Sequence, residues 1–146
     1  MIKENQSPNF RYLDKAILRE VCHRLAKEVF GTSEPMPPFD DHNTASLESA
    51  LVAPSQSIGG SDLYPSIEEK AAVLFYGLVK NHPFGNGNKR MAAASLVLFL
   101  YLNDYLFEVS REDFRDKTIE VAKSSGDYKA FIEKLSDWIS GRIKSF

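Results

Sequence analysis

Two long apolar runs dominate the chain, AAVLFYGLV at 71–79 and MAAASLVLFLYL at 91–102, with the polar stretch KNHPFGNGNKR between them. Around the first run Ile67, Ala71, Leu74, Phe75, Leu78 and Val79 share one side of a helix. Ser66 and Glu69, just behind Pro65, form a capping box that starts it. Pro83 cannot continue a helix and steers His82 away from helical angles, so this helix ends near Asn81. The second run is apolar nearly all round. That predicts a helix buried at the centre of the fold, starting between Asn86 and Asn88 and running to about Leu102.

The flanks show the same helical spacing. Leu13, Ile17, Leu18, Val21, Leu25, Val29 and Phe30 form a stripe with Asp14 as N-cap and Gly31 as stop. The proline-rich TSEPMPPFDDHN is a loop. The short helix TASLESALVA follows, capped by Asn43 or Thr44 and closed by Pro54. PSQSIGGSDLYP, 54–65, reads as a loop or small hairpin, and YLFEV as a short extended piece. Ser110 with Asp113, and Asp127 after Gly126, cap two final helices, the last burying Phe131, Ile132, Leu135, Trp138 and Ile139. The expectation is an all-α fold of about six helices around a buried central one, with a short β-hairpin flap, in a single domain over 1–146.

Composition narrows the partners. A net charge of −2 and a pI near 5.9 give no electrostatic reason to expect nucleic acid or an anionic membrane as partner. The first ten residues lack the apolar run of a signal peptide, and Met91–Leu102 is shorter than the roughly 20 residues that span a bilayer. A cytoplasmic protein is expected. The single cysteine, Cys22, excludes an intrachain disulfide and reads as core. His23 and His42 carry no ligand pattern, and Asp40, Asp41 and His42 lack the second cluster a metal site needs.

The chemistry concentrates in the turn. A buried helix that begins GNGNK has free backbone N–H groups at its N-terminus, and the helix dipole adds positive charge there. Gly85 and Gly87 permit unusual backbone angles and let a ligand approach the main chain. Such a helix end is an anion site of the kind that holds phosphates. Lys89 and Arg90 add two cations, Arg90 with a planar fork suited to a phosphate. His82, at the mouth, can carry a proton near neutral pH. A phosphate cradle, two cations and a histidine base point to phosphoryl or nucleotidyl transfer to a hydroxyl.

HPFGNGNKR resembles the signature of the Fic/Doc family, HxFx(D/E)GNxxR in Fic enzymes and HxFx(D/N)(A/G)NKR in the Doc (death-on-curing) branch. The likeness covers Ser46 to Asp104 well, while the first and last forty residues match in helical character alone. The resemblance implies a Fic/Doc-type helical bundle that uses ATP or another nucleoside triphosphate, with Mg, to modify a Ser, Thr or Tyr hydroxyl of a target protein. It implies His82 as general base, Phe84 as an anchor turned into the core, and Gly85, Gly87 and Asn88 as parts of the anion nest. It further implies that Arg90 neutralises phosphate charge in the transition state and that Asn86 stands where relatives hold magnesium with a carboxylate.

Three departures refine this. Asn86 is neutral, which weakens magnesium binding. Lys89 replaces the glycine of the nucleotidyl-transferring branch, and the second Fic arginine would fall at Ala93. Lys89 and Ala93 favour Doc-like phosphoryl transfer, with the toxin of a toxin–antitoxin pair as the implied role, over Fic-type AMPylation. A catalytically weakened nucleotide- or protein-binding module is the other alternative. TASLES fits only the first part of the inhibitory (S/T)xxxE(G/N) motif, so any restraint falls to a separate antitoxin. The glycine loop 54–65 is the candidate flap for the target segment.

Overall fold

The computed structural model of the protein describes residues 9–29, 36–40, 42–84 and 86–146; the expected stop at Phe30–Gly31 lies outside them, as do Asp41 and Gly85. Helix α1 comprises Lys15–Ile17, a π-helical turn Leu18–Cys22, and His23–Glu28. Asp14 caps it by accepting from the Ile17 N–H at 2.8 Å. The π turn corrects the expected stripe. Leu18, Cys22 and Ala26 are fully buried, while Val21 and Val29 are 40% and 49% exposed. A wider turn keeps residues four apart in line instead of letting them drift around the axis, so the buried line runs 18, 22, 26.

Helix α2, Thr44–Val52, is capped by the Asn43 side chain, which accepts from the Ser46 N–H at 2.9 Å. A 3₁₀ turn, Ala53–Ser55, closes it around buried Pro54. The expected hairpin follows as β1 (Ser57–Ile58) and β2 (Ser61–Asp62), antiparallel, with Ile58 opposite Ser61. Gly59 and Gly60 both take positive φ, 59° and 84°, the two left-handed residues that a tight two-residue turn of type I′ needs.

Helix α3, Ile67–Lys80, begins at the full Ser66–Glu69 capping box and ends at Asn81. Helix α4, Asn88–Leu102, begins at Gly87. Then come β3 (Tyr105–Phe107), α5 (Arg111–Lys123, capped by Ser110), α6 (Tyr128–Ser140, capped by Asp127) and β4 (Ile143–Ser145). The fold is all-α with two small antiparallel strand pairs among the described residues, β1–β2 and β3–β4. The centre is a pair of helices. Helix α3 touches α2, α4, α5 and α6, and α4 packs on it with Met91 to Leu96, Phe99 and Leu100 buried. Together these two burials remove well over a dozen apolar side chains from water, at about 1.5–3 kcal/mol for each large one. No helix among the described residues is long and apolar enough to cross a membrane.

A cation sits inside this core. Lys70 on α3 is fully buried, and its Nζ donates to the Pro54 carbonyl and the Asp62 carboxylate, both at 3.0 Å. It also lies over the rings of Phe10 and Tyr12, at 4.9 and 5.5 Å. The buried ammonium is thereby paired and hydrogen-bonded, as a charge removed from water requires, and the hairpin is tied at its base to the central helix.

Candidate functional site

The described residues of the motif lie in the turn between α3 and α4 and on the first turn of α4. His82 is exposed and has φ of 47°: it leaves the helix as the following proline requires, but into the left-handed region and not the extended one that a following proline favours. Phe84 is buried. Asn86 is exposed, and its side-chain oxygen accepts from the Gly87 N–H at 2.9 Å. Gly87 has φ of 79°, and a Cβ there would lie 2.8 Å from Met36 Sδ and 3.3 Å from Pro37 Cδ. Asn88 is the first residue of α4 and is buried, Lys89 is exposed and Arg90 half-buried. The N-cap residue of α4, Gly87, supplies no side-chain cap, and the first N–H groups of any helix have no partner within the helix itself.

Asn88 ties the turn together. Its Oδ1 accepts from the Phe84 N–H at 2.9 Å, and its Nδ2 lies 3.4 Å from His82 Nδ1. The base candidate, the anchor and the helix start are therefore joined through one buried amide.

Beneath the turn lies a support that its sequence did not reveal. Phe84 packs on Phe39, ring centroids 5.6 Å apart, and on His42 at 6.0 Å. His23 meets Phe39 edge-on at 6.2 Å. Carbonyls only accept, so His42 Nδ1–H donates to the Phe39 carbonyl at 2.8 Å and His23 Nε2–H to that of Pro37 at 2.7 Å. His42 holds the segment before α2 against the motif, and His23 ties the same segment to α1. Asp40 pairs with Arg19 at 3.4 Å, and no three His, Cys, Asp or Glu side chains gather into a metal cluster among the described residues. A metal at the motif fits only as an ion arriving with phosphates, with Asn86 Oδ1, already accepting from Gly87, offering its remaining lone pair.

Two grooves lie elsewhere. One of about 700 Å³ runs between the start of α3 and α6, past Tyr64, Glu68, Tyr128 and Asp137. Burial, then the Tyr64 hydroxyl 3.2 Å away, pushes the Tyr128 phenol above its usual range. The other, about 410 Å³, lies beside Phe10, Asn103 and Tyr105. Neither is lined by a residue of the 80–90 turn.

The helical bundle thus sets a histidine beside a helix N-terminus, the kind of place where proteins hold phosphates. The sequence profile described as Fic/DOC family matches residues 12–100, and the chain belongs to that family. It is 34% identical over 94 residues to a protein named Toxin Doc from Mycolicibacterium smegmatis (strain ATCC 700084 / mc(2)155), an alignment covering 62% of this chain and 71% of that one.

Proposed function

We propose that the protein transfers the γ-phosphoryl group of a nucleoside triphosphate to a Ser, Thr or Tyr hydroxyl of a target protein, as the toxin of a toxin–antitoxin pair. The observation that carries this reading is an exposed His82 placed beside the N-terminus of α4 by its contact with buried Asn88. The imidazole takes the hydroxyl proton. The freed oxygen bonds to the γ-phosphorus, and the bond to the departing nucleoside diphosphate breaks with its electron pair. The α4 N–H groups, Lys89 and Arg90 balance the charge on the phosphate oxygens, the dominant contribution in such transfers.

Phosphoryl transfer is favoured over AMPylation by two residues. Ala93, where the nucleotidyl-transferring branch has its second arginine, is buried in α4, so the position faces the core and not the phosphates. Lys89 stands exposed beside the cradle in place of a glycine. The likeness to Toxin Doc supports the toxin role. ATP labelled at either the α or the γ position, offered with a cell lysate beside a His82→Ala control, tests the reading. Transfer of γ label that the control lacks is expected; transfer of α label means AMPylation. A second reading, a weakened nucleotide-binding module, draws on the neutral Asn86 and its internal bond to Gly87. Nucleotide binding without transfer of either label would establish it.

A further inference from the structure

The groove of about 700 Å³ between the start of α3 and α6 is one-sided in its charge. Its lining holds four carboxylates, Glu68, Glu69, Glu133 and Asp137, against one cation, Lys129. That is a balance of −3 where the whole chain carries −2, so the chain outside the groove is neutral to within one charge. The net negative charge of the protein is gathered here. Glu69 is committed to the capping box, accepting from the Ser66 N–H and hydroxyl at 3.1 and 2.9 Å. Glu68, Glu133 and Asp137 take part in no ion pair among the described residues.

Apolar surface lies among these carboxylates. Leu63 and Tyr128 are 42% and 43% exposed, and the Tyr128 ring rests on Tyr76, centroids 5.1 Å apart. Glu133 and Asp137 are exposed and four residues apart on α6, so they share one face. Unpaired carboxylates around apolar side chains complement a segment that presents a basic residue beside an apolar one. Arginine suits both halves, since its guanidinium pairs with carboxylates and stacks on aromatic rings. Polyanions are repelled.

We propose that this groove docks the target protein, holding a basic amphipathic segment of it away from the hydroxyl that is modified. The inference rests on the reading of the protein as a transferase acting on a protein. The groove is continuous with the hairpin, the candidate flap for the target: Leu63 follows β2, and its N–H donates to the Gln56 carbonyl at 2.9 Å. Helix α3 then runs from the groove to the phosphate turn, and at 1.5 Å per residue it sets the two about 20 Å apart. A target gripped at this distance keeps the same contacts throughout transfer, which lowers KM and leaves kcat alone.

Binding is tested first without turnover, by NMR of the full chain. The probe is an amphipathic peptide of leucine and arginine at helical spacing, beside a twin with glutamate in place of arginine. The arginine peptide should shift the amides of Leu63, Tyr128 and Asp137, and the twin should not. Reversing two exposed charges, Glu133→Lys with Asp137→Lys, should weaken that binding about tenfold. Thermal unfolding checks the fold, and the milder pair Glu133→Gln with Asp137→Asn should give an intermediate loss. With γ-labelled ATP and a lysate, the charge-reversed protein should label its target several-fold less than wild type, through KM, while binding a non-hydrolysable triphosphate equally well. Absence of groove shifts, equal binding of the glutamate twin, or target labelling untouched by charge reversal each overturns the docking site. Failure of the transferase reading looks different: the wild type itself then transfers no label, and the target is lost as the occupant.

Discussion

The backbone N–H of Asn43 donates to the carbonyl of Pro83 at 2.7 Å, so the residue that caps α2 also holds the residue after His82. On the other side Asn81 Nδ2 donates to the Ser46 carbonyl at 3.1 Å. His82 is clamped from both directions by the first turn of α2. Replacing Asn43 with alanine removes the cap and is expected to cost about 1 kcal/mol of stability. Both clamping bonds use backbone groups of α2 that alanine keeps, but without its cap the first turn of α2 frays, so the same variant should lower turnover by more than the folded fraction explains. A urea titration beside a transfer assay checks both, and unchanged turnover per folded molecule would count against the clamp.

Gly87 offers a sharper perturbation. Its φ is 79°, and the methyl group of an alanine there would meet Met36 Sδ at 2.8 Å, so Gly87→Ala combines left-handed strain with a clash. The backbone strain alone is about 1 kcal/mol or more. Because Gly87 is the N-cap of α4, the variant should weaken nucleotide binding at least several-fold while the rest of the fold persists. Calorimetric titration with a non-hydrolysable triphosphate gives the answer; wild-type affinity would contradict the cradle.

Lys70 predicts a coupling between the core and the hairpin. Truncation to alanine leaves a cavity and strips partners from Pro54 and from the partly exposed Asp62. Loss of about 3 kcal/mol is expected, near the lower end of the range for a broken buried ion pair. Amide exchange should then quicken at Ser57–Asp62 first. Uniform destabilisation with no preference for the hairpin would show that Lys70 is only a packing residue.

Cys22 sets a pH limit. Burial raises its thiol from 9.0 to about 11, partly offset by the neighbouring Ser95 hydroxyl, whose Oγ has no partner of full hydrogen-bond geometry among the described residues. The raised value means that the neutral thiol is favoured by folding. Its contribution is fully present below pH 9 and is lost as pH rises from 9 towards 11, by about 2–3 kcal/mol at most. The stability difference between the wild type and Cys22→Ala should therefore be constant below pH 9 and shift against the wild type above it. A difference that stays flat to pH 10.5 would refute the burial argument.

The elements legible before folding were those written in adjacent residues. Ser66 with Glu69, Asp127 and Ser110 mark their helix starts through bonds spanning three residues, and Pro83 marks a stop by its own ring. What stayed hidden depends on partners far along the chain. The pairing of Tyr105–Phe107 with Ile143–Ser145 joins segments with two helices between them. Lys70 looks like any helix-surface lysine until Asp62 and Pro54 fold over it. The Phe39–His42 support under Phe84 lay in a segment whose prolines announced only a loop. At the site itself the motif named residues that, among those described, fall at the turn and the start of α4, while the direction of the Asn88 amide could come only from the geometry of Phe84.

The left-handed backbone of His82 carries one more consequence. A side chain at φ of 47° sits uphill by about 1–3 kcal/mol, and the turn retains it only because both shoulders are fastened. The ring's aim thus depends on residues that never meet substrate. A survey of inactivating substitutions should mark two islands, one over the turn and another over the first turn of α2, with the second reporting mechanical slack instead of missing chemistry.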